Sequence, residues 1–188
     1  MITTTAVRPG DVLAVRSPGT AGRLIRFGAA VRELVSGSAE PNMDNHIAVV
    51  HHTDKAGTVW CLEGRPGGVG WRDASDYLRS PWTVTNAGQP KTDDQRKIVC
   101  SGALAMIGTP YDWVGIAADA AAAVDLSALF APKWPGSRPP GEVVCSSLAG
   151  WLYQHAGLAG PAGREATPAD WVAFIVSHGY QNTAEAAA

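Results

Sequence analysis

Two short apolar runs, His46–His52 (HIAVVHH) and Thr58–Glu63 (TVWCLE), constrain this chain more than any other feature. Each is too short for a globular helix, and both carry β-branched residues, so both predict buried strands. Asp54–Gly57 supplies turn chemistry between them, so the pair reads as an antiparallel hairpin. A further strand is expected at Asp11–Arg16, after the Pro9-Gly10 turn signal, and another at Trp82–Thr85. Gly64–Gly70 between them reads only as a glycine-rich stretch.

The remaining patterned segments predict helices. Gly22–Val35 carries Leu24, Phe27, Val31 and Leu34 at helical spacing, and Gly37–Asn45 after it reads as a polar loop. Thr92–Ile107 begins at a capping threonine and carries Ile98, Val99, Ala103 and Met106. Val144–Ala156 stops at Gly157, and Thr167 with Pro168 opens the last helix. Strands grouped apart from helices predict an α+β fold, a small antiparallel sheet packed against helices. One domain over residues 1–180 is expected, with an insertion at 115–142 and a tail at 181–188.

Charge and hydropathy narrow the function classes. A net charge of −2 without a Lys/Arg block argues against nucleic acid as partner, because such affinity rests on phosphate contacts. No run of about 20 apolar residues exists, so no membrane span is expected. The nearest approach, Val114–Ala131, is broken by Asp119 and Asp125. Met1–Gly10 lacks the basic-then-apolar order of a secretory signal, so the chain is expected in the cytoplasm as synthesised.

Three residues carry a candidate chemistry. Cys145 falls in the first turn of a predicted helix, where partial positive charge favours thiolate over thiol. It shares a face with Leu148, Ala149 and Leu152, so the sulfur is expected to look toward the sheet. On position alone a small buried hydrophobe is the commoner reading of such a cysteine. His46 opens its strand after a polar loop and can take a proton near neutral pH. Glu63 ends the neighbouring strand, close enough in a hairpin to fix the tautomer of His46; alone it reads equally well as an exposed turn residue. Tyr111, in the tight turn Gly108–Trp113, either lines the cleft and lends its hydroxyl or plugs the core.

These residues fall in motifs that resemble a known family. Gly108-x-Pro110-Tyr111-x-Trp113-x-Gly115, followed by Cys145-Ser146-Ser147-Leu148 and Trp151-x-Tyr153, is similar to the nucleophile half of the NlpC-type papain-like cysteine peptidases. His46-Ile47-Ala48-Val49-Val50 resembles the strand that carries the family's base, and Leu62-Glu63-Gly64 stands where its third polar residue falls. Here the histidine half precedes the cysteine half. That order resembles the circularly permuted branch, which includes bacterial lipoprotein-like hydrolases and the lecithin-retinol acyltransferase group. Pro9-Gly10-Asp11-Val12-Leu13 and Thr167-Pro168-Ala169-Asp170 also resemble that branch. The chain departs from the standard pattern at Val144 (usually aspartate), Ser147 (usually glycine) and Glu63 (often histidine).

The resemblance implies a papain-like fold in permuted order and a hydrolase without cofactor or metal. Cys145 would be the nucleophile, His46 the base and Glu63 its orienting carboxylate. The Cys145 backbone N–H, with Tyr111, would stabilise the oxyanion. The implied substrate is a peptidoglycan peptide or another amide or acyl group. Action on the cell wall would then need delivery by host lysis, a phage tail or a secretion apparatus. The alternative is a non-catalytic structural or binding module of a larger assembly, such as a phage tail component, with a vestigial cleft and protein partners. A metal site from His46, His51, His52 and Cys61 is disfavoured, because the spacing fits no standard zinc pattern and adjacent strand histidines are expected on opposite faces.

Overall fold

A computed structural model describes residues 7–16, 46–112, 143–161 and 166–180. The expected helix at Gly22–Val35, the loop Gly37–Asn45, Trp113, the insertion 115–142 and the tail 181–188 lie outside the described residues.

The chain is α+β. Five strands form one antiparallel sheet: β1 (Val12–Val15), β2 (His46–Thr53), β3 (Val59–Arg65), β4 (Gly68–Asp73) and β5 (Val84–Thr85), in the order β4-β3-β2-β1-β5. The hairpin between β2 and β3 closes on Asp54, whose side chain accepts from the N–H groups of Ala56 and Thr58. Gly57 turns there at φ +85°.

Both faces of the sheet are buried, which is why β2 reads as a continuous apolar run rather than an alternating one. Val12, Ala14, Ile47, Val49 and Leu62 face one cluster, and Leu13, Val15, Ala48, Val50 and Cys61 face the other. The first cluster is covered by α2 (Asp93–Ala105) and α3 (Cys145–His155). The second is closed by Val7 and by Tyr77 and Leu78 of α1 (Ser75–Arg79). The last helix, α4 (Pro168–Ser177), sends the fully buried Trp171 beneath the start of α3, with its indole N–H 3.4 Å from the Ser146 carbonyl.

The caps follow the sequence. Thr92 and Gln95 form a reciprocal capping box on α2, and Thr167 and Asp170 do the same on α4. Gly157 ends α3 at φ +62°. Gly102 lets α2 and α3 close together, since a Cβ there would lie 2.7 Å from Leu152 Cδ2.

Four expectations need correction. Ile98 is 44% exposed, so only Val99, Ala103 and Met106 of the named α2 residues enter the core. The strand expected from Trp82 begins at Val84, and Trp82 lies out under the Arg16 guanidinium at 4.0 Å. β4 arises inside and beyond the glycine-rich stretch, which carries no alternating pattern to announce it. His51 and His52 do not diverge: a register shift between Val50 and His52 turns both rings toward Trp71 and leaves their Nδ1 atoms 3.1 Å apart. Among the described residues, no helix is long and apolar enough to cross a membrane.

Candidate active site

Cys145 enters where the sheet opens. The pairing of β2 with β3 runs from Thr53–Val59 to Val49–Leu62. Two positions further along, Ile47 and Gly64 both meet Cys145 instead. The Ile47 N–H bonds to the Cys145 sulfur. Gly64 lies under the Cys145 backbone, where a Cβ would stand 3.3 Å from Cys145 N and 3.4 Å from Val144 C. A glycine at 64 therefore lets the helix start sit on the strand.

Cys145 is the first residue of α3, after an extended Val144 that has no side-chain acceptor to cap the turn. The Ser146 N–H, one of the amides that a helix start leaves without an internal partner, bonds to the sulfur as well. Ser147 Oγ turns back to accept from the Val144 N–H at 3.0 Å.

His46 faces this sulfur from the first position of β2, in direct hydrogen-bonding contact. Its Nε2 donates to Glu63 Oε2 at 2.8 Å, which leaves Nδ1 for Cys145. All three side chains are buried: Cys145 is 3%, His46 6% and Glu63 2% exposed. The exposed turn residue weighed for Glu63 does not describe it. The structure brings Cys145, His46 and Glu63 into one chain of contacts.

The electrostatics favour an ion pair. Burial alone pushes the Cys145 thiol up, but the facing His46 and the two backbone donors outweigh it and hold the thiol below its ordinary range. The helix start cannot do this alone, since it contributes about 0.3–1 kcal/mol, less than one pKa unit. The facing imidazolium is thus the larger influence. Burial likewise lowers His46, yet the Cys145 thiolate and then Glu63 raise it from 6.5 to about 10. Glu63 stays ionised: burial raises its pKa, but His46, Tyr77 and Arg65 together bring it below the ordinary carboxylate range. The other thiols behave oppositely. Burial pushes Cys61 well above its ordinary value and takes Cys100 to about 11.

Tyr111 reaches the site from a parallel bridge to Val143, two residues before Cys145. Burial, and then the charge of Cys145, raise its phenol, so it stays protonated within electrostatic reach of the sulfur. His51 packs with His52 and Trp71 rather than with Cys145. Burial, and then His52, lower its pKa. Among the described residues no three His, Cys, Asp or Glu side chains gather to hold a metal ion.

Sequence reasoning missed three groups. The Ile47 N–H is invisible because its use depends on where the β2–β3 ladder stops. Arg65 Nη1 lies 3.5 Å from Glu63 Oε1. Tyr77 donates its hydroxyl to Glu63 Oε2 at 3.1 Å from a five-residue helix that no periodicity announces.

No protein-family model matches the chain, and no curated protein matches it.

Proposed function

We propose that the protein is a cysteine hydrolase of amide or ester bonds, built on a papain-like fold in permuted order. The single observation that carries this reading is the contact chain of Cys145 at a helix start, His46, and Glu63 bonded to Nε2 at 2.8 Å. A core cysteine needs neither a buried ionic partner nor two aligned backbone donors.

In the mechanism the Cys145 thiolate attacks the substrate carbonyl and forms a C–S bond. The carbonyl π electrons move to oxygen. The Cys145 N–H, together with the protonated Tyr111 hydroxyl, offers donors to that oxyanion. On collapse, His46 delivers its proton to the departing amine or alcohol, and a thioester remains. Water, deprotonated by His46, then attacks the thioester and releases the acid and the thiolate. Glu63 keeps the imidazole oriented throughout and stabilises its positive charge in the steps where it carries the proton. The substrate class favoured by the motif resemblance is a peptidoglycan peptide, with other acyl amides as the second choice.

Fragments of peptidoglycan and mixed acyl-lipids, incubated with the wild type and with Cys145→Ala, test this by mass spectrometry. Turnover by the wild type with a loss of at least about 10³-fold in the variant is expected, since the nucleophile is removed. Equal turnover by both proteins would sink the nucleophile. Wild-type Cys145 that alkylates no faster below pH 7 than Cys100 would favour the non-catalytic module.

A further inference from the structure

We infer that Tyr77 is a positioning residue for the Cys145–His46–Glu63 centre, fixing the carboxylate that orients the base. This rests on the hydrolase reading and adds a fourth side chain to it.

A carboxylate bonded only to one imidazole can present either oxygen and can rotate between them. Here that freedom is removed. The Tyr77 hydroxyl donates to the same oxygen, Oε2, that receives His46 Nε2–H, at 3.1 and 2.8 Å. Arg65 addresses the other oxygen at 3.5 Å.

Tyr77 is itself held firmly. Its carbonyl accepts from Thr83 Oγ1 at 2.5 Å, and the Arg72 guanidinium lies over its ring at 5.4 Å. The helix that carries it has no side-chain cap, and the Ala74 N–H before it is tied to the Val59 carbonyl. Burial, and then the charge of Glu63, keep the phenol protonated, so it remains a donor wherever Glu63 is ionised. A ring alone would fill this space as well; the hydroxyl is spent on the carboxylate.

The consequence is chemical. The Tyr77 bond lowers the proton affinity of Glu63. Without it the carboxylate takes up a proton at a higher pH and ceases to support the imidazolium. The thiolate then reverts to thiol. The charged and titratable groups around this carboxylate are His46 of β2, Cys61 and Arg65 of β3, Tyr77 of α1 with Arg72 of β4 over its ring and, through His46, Cys145 of α3.

The test is the pH profile of Cys145 alkylation by iodoacetamide, read by mass spectrometry, beside the melting temperature. Tyr77→Phe should move the acidic limb up by roughly half to one unit, a three- to tenfold slower reaction at a pH on that limb, with no change above it. Placing 3-fluorotyrosine at position 77 preserves the shape and strengthens the donor, so it should move the limb down. A purely structural role would change the melting temperature and leave both limbs in place, and that result overturns the inference. An unshifted thiol in the wild type itself would instead overturn the hydrolase reading.

Discussion

Two buried ionic clusters sit at opposite ends of the β1–β2 pair, and their charge ratios are inverted. At one end His46 lies between two anions, Cys145 and Glu63. At the other, Asp11 lies between two cations, with Lys91 Nζ and Arg96 Nη1 each 2.9 Å from Oδ1. Val12 pairs with Val49 and Val15 with His46, so the clusters stand about 10–15 Å apart along the strands. In the Asp11 cluster most of the remaining bonds are also filled, with Arg96 Nε left buried without a partner. Asp11 Oδ2 accepts from the Arg8 N–H, Lys91 also reaches the Asn86 carbonyl, and Tyr153 joins Asn86 to the Gly10 carbonyl. Burial pulls the Lys91 pKa down despite Asp11. The surplus charge there rests on a lysine whose side chain is buried and on a guanidinium. In the His46 cluster it rests on a sulfur, the one group of the two sets suited to nucleophilic attack. Similar burial thus serves fastening in one place and reactivity in the other.

Three substitutions test that contrast. Asp11→Ala leaves Lys91 and Arg96 without their anion and should cost about 3–5 kcal/mol in urea unfolding, with the Cys145 alkylation profile unchanged in the folded protein. A loss below about 1 kcal/mol would remove the fastening role. Glu63→Gln should act the other way round. Without the carboxylate, the folded pKa of His46 falls from about 10 and that of Cys145 rises. The thiolate is then lost at a higher pH as the solution is acidified, slowing alkylation about 10- to 100-fold on that limb while unfolding free energy changes less. A profile equal to wild type would break the assignment of Glu63. Gly64→Ala is the smallest. The added methyl meets Cys145 N and Val144 C, so it should cost about 1–2 kcal/mol and raise the Cys145 pKa by shifting the sulfur from the Ile47 N–H. A crystal structure of that variant with α3 unmoved would count against the close-approach argument.

The contrast also shows what the letters could and could not convey. β2, β3 and the capped helices were legible because apolar runs and caps are local signals. Cys145, His46 and Glu63 could be proposed together from their expected places at element ends and from the motif resemblance. Their burial could not, because it depends on α3 wedging into the fork between β2 and β3. β4 was hidden by its glycines, and α1 by its brevity. The rule that neighbouring strand residues point apart failed at His51 and His52, because the bulge that breaks it is set by pairing across the sheet. The shortfall is therefore greatest where a group's role comes from a distant backbone, as with the Ile47 N–H and Tyr77.

The parallel bridge between Tyr111 and Val143 has a consequence for how such a chain can diverge. The bridge is fastened on both sides, by Asp112 N–H to the Val143 carbonyl and Val143 N–H to the Pro110 carbonyl. Whatever sequence runs between those two points starts and finishes at the same clasp. The entropy of closing it grows only with the logarithm of its length. Lineages can therefore lengthen, trim or rewrite that stretch at little thermodynamic penalty, and kinship is better sought in the spacing on each side of the clasp than across it.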